Sequence, residues 1–85
     1  MKRTELKEIL EKKDGHYQKI YRQYPTLHRD LTLWEDYLQL VVKNREQKIR
    51  APKDRARMCI CAHYGITDKT FYVIRTRLRD LCEDV

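Results

Sequence analysis

Four residues punctuate this chain: Gly15, Pro25, Pro52 and Gly65 are its only glycines and prolines. Each either stops a helix or suits a helix end, because proline lacks the backbone donor and glycine tolerates a left-handed turn. The stretches between them carry apolar residues at helical spacing. The expected fold is therefore all-α, a small bundle of about four helices with a helix-turn-helix at its C-terminal end. At 85 residues the chain is one domain, or one domain with a helical extension. The natural division is an N-terminal helical extension at residues 1–27 and a three-helix domain at 28–85, whose two-helix motif spans 53–82.

Residues Thr4 to Lys13 read as a helix, with Thr4 as N-cap, glutamates in the first turns and lysines at the end. Asp14-Gly15 is a turn signal or a helix C-cap. Leu6, Leu10, Lys13, Tyr17, Ile20 and Tyr24 are spaced four and three residues apart in alternation, a heptad seam with Lys13 as its flaw. Two arrangements satisfy this spacing, one helix running through Gly15 or two short helices meeting there. The seam has two uses as well. It serves a homodimer through Leu6, Leu10, Tyr17, Ile20 and Tyr24, or it packs on the rest of the chain.

Leu31 to Arg50 is the longest predicted helix. Thr32-Leu33-Trp34-Glu35 has the form of a capping box. Trp34, Tyr37, Leu38, Val41 and Val42 make one apolar stripe. Ala51-Pro52 ends the helix, and Pro52 also suits the first turn of the next one.

Charge narrows the function. The net charge is +6, and Val42 to Arg57 holds seven basic residues (Lys43, Arg45, Lys48, Arg50, Lys53, Arg55, Arg57) against two acidic ones. Arg75, Arg77 and Arg79 form a second cluster. Such patches attract polyanions and release condensed counterions when they meet phosphate. No apolar run approaches the roughly 20 residues of a membrane helix. The charged N-terminus lacks an apolar signal region, so a cytoplasmic protein is expected, with no membrane partner.

Catalysis is poorly provided for. The chain has no serine, no glycine-rich phosphate loop and no His-x-x-x-His pair, and His16, His28 and His63 are scattered. Cys59 and His63 have the spacing of a nucleophile and base but no third group to orient them. Cys59, Cys61 and Cys82 are an odd set without the usual zinc spacing. Residues two apart on a helix also point about 200° apart, so Cys59 and Cys61 diverge. No enzyme, cofactor or metal site is expected, and the thiols read as packing residues.

The segment from Lys53 to Leu81, KDRARMCICAHYGITDKTFYVIRTRLRDL, divides into a helix at about Lys53–Tyr64, a turn at Gly65 and a helix at about Asp68–Cys82. Cys61 is the small residue where the helices touch. Gly65 supplies positive φ, and Thr67-Asp68 offers cap residues. Ile60, Ile66, Phe71, Ile74 and Leu78 are the apolar anchors. Tyr64-Gly65-Ile66-Thr67-Asp68-Lys69-Thr70-Phe71 resembles the turn and recognition-helix start of bacterial and phage helix-turn-helix regulators, with cysteine where alanine is usual. The resemblance covers roughly 20 to 25 residues and only the superfamily pattern. It implies a second helix lying in the major groove with its N-terminal half nearest the bases, and a first helix crossing the backbone.

At about 100° per residue, Phe71, Ile74, Leu78, Leu81 and Cys82 share one face of the second helix, while Lys69, Tyr72, Val73, Thr76 and Asp80 lie opposite. Lys69, Tyr72 and Thr76 suit phosphates or base edges, and Val73 suits a thymine methyl. Arg75 and Arg79 flank this face as backbone clamps. Thr67 and Thr70 stand at its start, and Lys53, Arg55 and Arg57 lead in from the first helix. The expected function is duplex DNA binding, by a small transcription regulator or a DNA-binding subunit of a phage or mobile element. The alternative is a helical protein-interaction or RNA-binding module with an incidental basic surface.

Overall fold

The computed structural model describes residues 1–12 and 15–85. Among them the protein is all-α, with five helices and no strand: α1 (Arg3–Lys12), α2 (Gly15–Gln23), α3 (Leu27–Glu46), α4 (Pro52–Tyr64) and α5 (Asp68–Leu81). The count exceeds the expected four because the N-terminal segment supplies two elements. The link between them, including Lys13 of the seam and Asp14 of the turn signal, lies outside the described residues. None of these helices is long and apolar enough to cross a membrane.

The central helix α3 starts earlier than the sequence suggests. It begins at Leu27, with Thr26 as N-cap directly after Pro25. Leu27 and Leu31, both buried, extend the apolar stripe two turns back from Trp34. Asp30 is fully buried in this first turn. Its carboxylate accepts from the Arg29 guanidinium at 2.9 Å and from the Thr26 hydroxyl at 3.3 Å. Thr32 therefore lies inside the helix and is no cap. Its hydroxyl donates to the His28 carbonyl four residues back, at 3.0 Å, as mid-helix threonines do.

The same helix ends at Glu46, short of the expected Arg50. Lys48 and Ala51 sit at φ 57° and 52°, a left-handed conformation that breaks the helix at non-glycine residues. Pro52 disfavours the α region at Ala51 and opens α4 itself. Buried Asn44 holds the loop, with its Nδ2 donating to the Pro52 carbonyl at 3.1 Å. Tyr64 at the far end of α4 donates its hydroxyl to Asp36 at 2.6 Å. These two ties pair the end of α3 with the start of α4 and the middle of α3 with the end of α4, so the two helices run antiparallel.

A three-residue turn joins α4 to α5. Gly65 closes α4 at φ 65°, and the Ile66 N–H reaches back to the Cys61 carbonyl at 3.0 Å, the long bond of a Schellman motif. Thr67 caps α5, its hydroxyl accepting from the Thr70 N–H at 3.2 Å. Both ends of this turn follow the sequence expectation.

The N-terminal helices pack on the core, one of the two uses expected for the seam. Leu6, Leu10 and Ile20 are buried in one continuous cluster with Trp34, Ile60, Phe71 and Leu78, and Tyr17 and Tyr24 pack against it. The seam is thus occupied within the protomer, and a dimer through Leu6, Leu10 or Ile20 would first have to open the core. Thr4 does not cap α1, which already includes Arg3. The cap comes from the other end of the chain, where the Asp84 carboxylate accepts the Arg3 N–H at 2.9 Å. Glu83 N–H to the Met1 carbonyl, at 2.9 Å, and Met1 N to the Leu81 carbonyl, at 3.1 Å, close the clasp.

Burial pushes the Asp84 carboxyl up, but the Arg3 N–H, its own backbone amide and the Arg3 and Lys2 charges outweigh it and hold it below its ordinary value. A carboxyl depressed in this way stabilises the fold above its unfolded value, and the contribution is lost as pH falls through the folded value. Asp84→Asn is expected to lower the thermal midpoint at neutral pH, with the gap narrowing as melts are repeated at acid pH. At Gly65 an added Cβ would meet nothing within 4 Å, so only the positive φ matters. Gly65→Ala should cost about 1 kcal/mol and Gly65→Asn less, measured by urea denaturation.

Candidate nucleic-acid interface

Phe71 fixes the rotation of α5. Its ring packs 5.7 Å from Trp34 and edge-on to Tyr37 at 5.1 Å, and Ile74 and Leu78 continue the buried face. The opposite face is consequently turned outward. Lys69, Tyr72, Val73, Thr76 and Asp80 are all exposed, Tyr72 by 44% and Val73 by 40%. Lys69, Tyr72, Val73, Thr76 and Arg77 border one shallow hollow on that surface. The Thr76 hydroxyl donates to the Tyr72 carbonyl at 3.0 Å, so it presents an acceptor and a methyl group. On the far flank, the Arg77 guanidinium lies over the Tyr24 ring at 6.0 Å.

On the near flank a cleft of about 520 Å³ runs between α3, α4 and α5. Trp34, Tyr37, Phe71 and Tyr72 give it an aromatic wall. Arg45, Lys53, Arg75 and Arg79 give it a cationic rim. Among the described residues, none of these four cations has a side-chain hydrogen bond or ion pair. Burial pushes the Tyr37 hydroxyl up, against the pull of Arg75, so it stays protonated at neutral pH.

The predicted residues divide into three groups. Lys69, Tyr72, Val73 and Thr76 share the α5 face, and Lys53, Arg75 and Arg79 line the adjoining cleft. Thr67 and Thr70 are engaged with each other in the α5 cap, their hydroxyls 3.2 Å apart. Arg55 and Arg57 do not act as a pair. Two residues apart on α4, they point about 200° from each other, and Arg55 is an exposed residue outside the cleft wall. Arg57 is a strut between α4 and α5. Its Nη1 donates to Asp54 at 3.2 Å and to the Tyr72 hydroxyl at 3.0 Å, while its Nε lies 3.3 Å from the Asp68 carboxylate. That last contact is an ion pair by distance without the alignment of a hydrogen bond.

The arrangement leaves the Tyr72 hydroxyl proton free to donate, because the bond with Arg57 uses only its lone pair. Sequence reasoning did not single out Arg45, Trp34 or Tyr37 as site residues. Trp34 and Tyr37 read as core, and only the placement of α5 turns one edge of their stripe into a cleft wall. Cys61 donates weakly to Asp68 at 3.7 Å, and burial, then the Asp68 charge, pushes its thiol up. Cys82 is buried and Cys59 exposed, so the three thiols sit in separate surroundings. Comparisons of the chain with family models, curated proteins and solved structures find no match.

Arg57→Ala should destabilise the fold by roughly 1 kcal/mol, because it removes bonds to both Asp54 and Tyr72. Arg55→Ala should stay within about 0.5 kcal/mol of the parent. Chemical denaturation of the two variants checks this, and equal stabilities would contradict the strut.

Proposed function

We propose that the protein binds duplex DNA by laying α5 in the major groove. The observation that carries this reading is an exposed Lys69–Tyr72–Val73–Thr76 face with cations on both sides, Arg77 on one and unpartnered Lys53, Arg75 and Arg79 on the other. A major groove of about 12 Å admits a helix. Lys69 suits guanine or phosphate, and the methyl groups of Val73 and Thr76 suit thymine. Tyr72, braced by Arg57, donates to a phosphate. Asp80 repels phosphate, so contact along α5 ends before it. Lys53, Arg75 and Arg79 can meet phosphate without first giving up a partner, as a pre-paired arginine would have to.

The role that fits a chain of this kind is a small transcription regulator or a DNA-binding subunit of a phage or mobile element. One such helix seldom gives strong specificity alone, so a second copy or a larger partner is part of the reading. That contact would use surface other than the buried Leu6, Leu10 and Ile20.

Fluorescence anisotropy with a labelled duplex of mixed sequence tests the proposal. Four phosphate contacts imply about a 100-fold loss of affinity between 50 and 200 mM salt. Arg75→Gln with Arg79→Gln should weaken all duplexes and lower the salt slope by about 2. Tyr72→Ala with Thr76→Ala should change sequence preference instead. No binding at low salt would refute the proposal, and a strong preference for single-stranded RNA would replace it with RNA binding.

A further inference from the structure

We infer that the cleft between α3, α4 and α5 is a binding site for a small, flat aromatic anion: a ring carrying a carboxylate, sulfonate or phosphate. Its volume of about 520 Å³ falls in the range of small-molecule sites, about 300–1,000 Å³. Its wall is a contiguous aromatic cluster. Trp34 and Tyr37 are 4.8 Å apart, and Phe71 links them to Tyr72, whose ring lies 5.6 Å from its own. Trp34, Tyr37 and Phe71 are buried against one another, so Tyr72, 44% exposed, is the ring that an occupant would meet in offset or edge contact.

A further feature points to an occupant. Val42, on the α3 side of the cleft, is 53% exposed although it continues the apolar stripe, and Tyr72 is open on the α5 side. A ring between them would cover both.

The charge selects the anion. Among the described residues, Arg45, Lys53, Arg75 and Arg79 line the cleft without a side-chain hydrogen bond or ion pair, and its one acidic side chain, Asp54, is paired with Arg57 at 3.2 Å. Arginine presents a planar fork suited to carboxylates, sulfonates and phosphates. Because Arg75 and Arg79 also flank the α5 face, an occupied cleft would weaken duplex binding, a consequence that rests on the DNA-binding reading. The site itself does not rest on it, and its test contains no DNA.

Two probes with the same rings separate shape from charge: 1-anilinonaphthalene-8-sulfonate and its neutral analogue N-phenyl-1-naphthylamine. Titrating each probe to saturation gives its affinity and the number of sites. The sulfonate should bind saturably at one site, about tenfold tighter than the neutral probe, which corresponds to one charge-assisted contact. Arg75→Gln with Arg79→Gln should abolish that preference and leave the neutral probe unchanged, with a cooperative thermal melt showing that the variant is folded. Equal binding of the two probes, unsaturable binding, or a sulfonate affinity untouched in the folded variant would overturn the inference.

Discussion

The packing of Phe71 on Trp34 and Tyr37 is the contact on which the rest of the structure depends. A helix laid on a bundle can rotate about its own axis, and only its buried side chains choose the angle. Phe71 meets two rings of α3 at once, and Ile74 and Leu78 follow on the same stripe. The chosen angle turns Lys69, Tyr72, Val73 and Thr76 outward and leaves Arg75 and Arg79 at the edge of a cleft. Shortening Phe71 would remove core volume and also release the constraint that defines the exposed face. Core and candidate interface are therefore two sides of one helix.

Electrostatics then sorts cations that look equivalent in the sequence. Arg57 is held by Asp54, Asp68 and Tyr72 and stiffens the junction of α4 with α5. Lys53, one turn earlier, has no side-chain partner among the described residues and stays available, as do Arg75 and Arg79. A structural arginine and a set of ligand-ready cations thus lie within one surface. The clasp between Arg3 and Asp84 works on the same principle at the other end of the molecule, tying residues 81 apart in sequence and capping α1.

Local signals were legible wherever the physics is local. Gly65 at positive φ, Thr67 as a cap, Pro52 at the start of α4 and the alternation of buried and exposed faces on α5 all depend on a few neighbouring residues. The start of α3 was misread because Thr32 and Glu35 have the capping-box pattern, while the actual start rests on Leu27 and Leu31 finding a core to enter. The cap of α1 was invisible because its acceptor, Asp84, lies at the far end of the chain. The resemblance places Arg55 and Arg57 together on a helix that crosses the backbone, although helical geometry alone separates them. The cleft was hidden for a different reason: Trp34, Tyr37 and Val42 look like one core stripe until α5 covers only part of it.

The central claim is that the outward face of α5, set by Phe71, meets duplex DNA. Backbone amide shifts of the isotope-labelled protein, followed during titration with a short duplex at low salt, test it most directly. If the claim holds, the largest changes fall on residues 69–77 of α5, with a smaller set at Lys53 and Arg45 across the cleft. Changes centred on α1 and α2, or a spectrum that the duplex leaves unaltered, would contradict it.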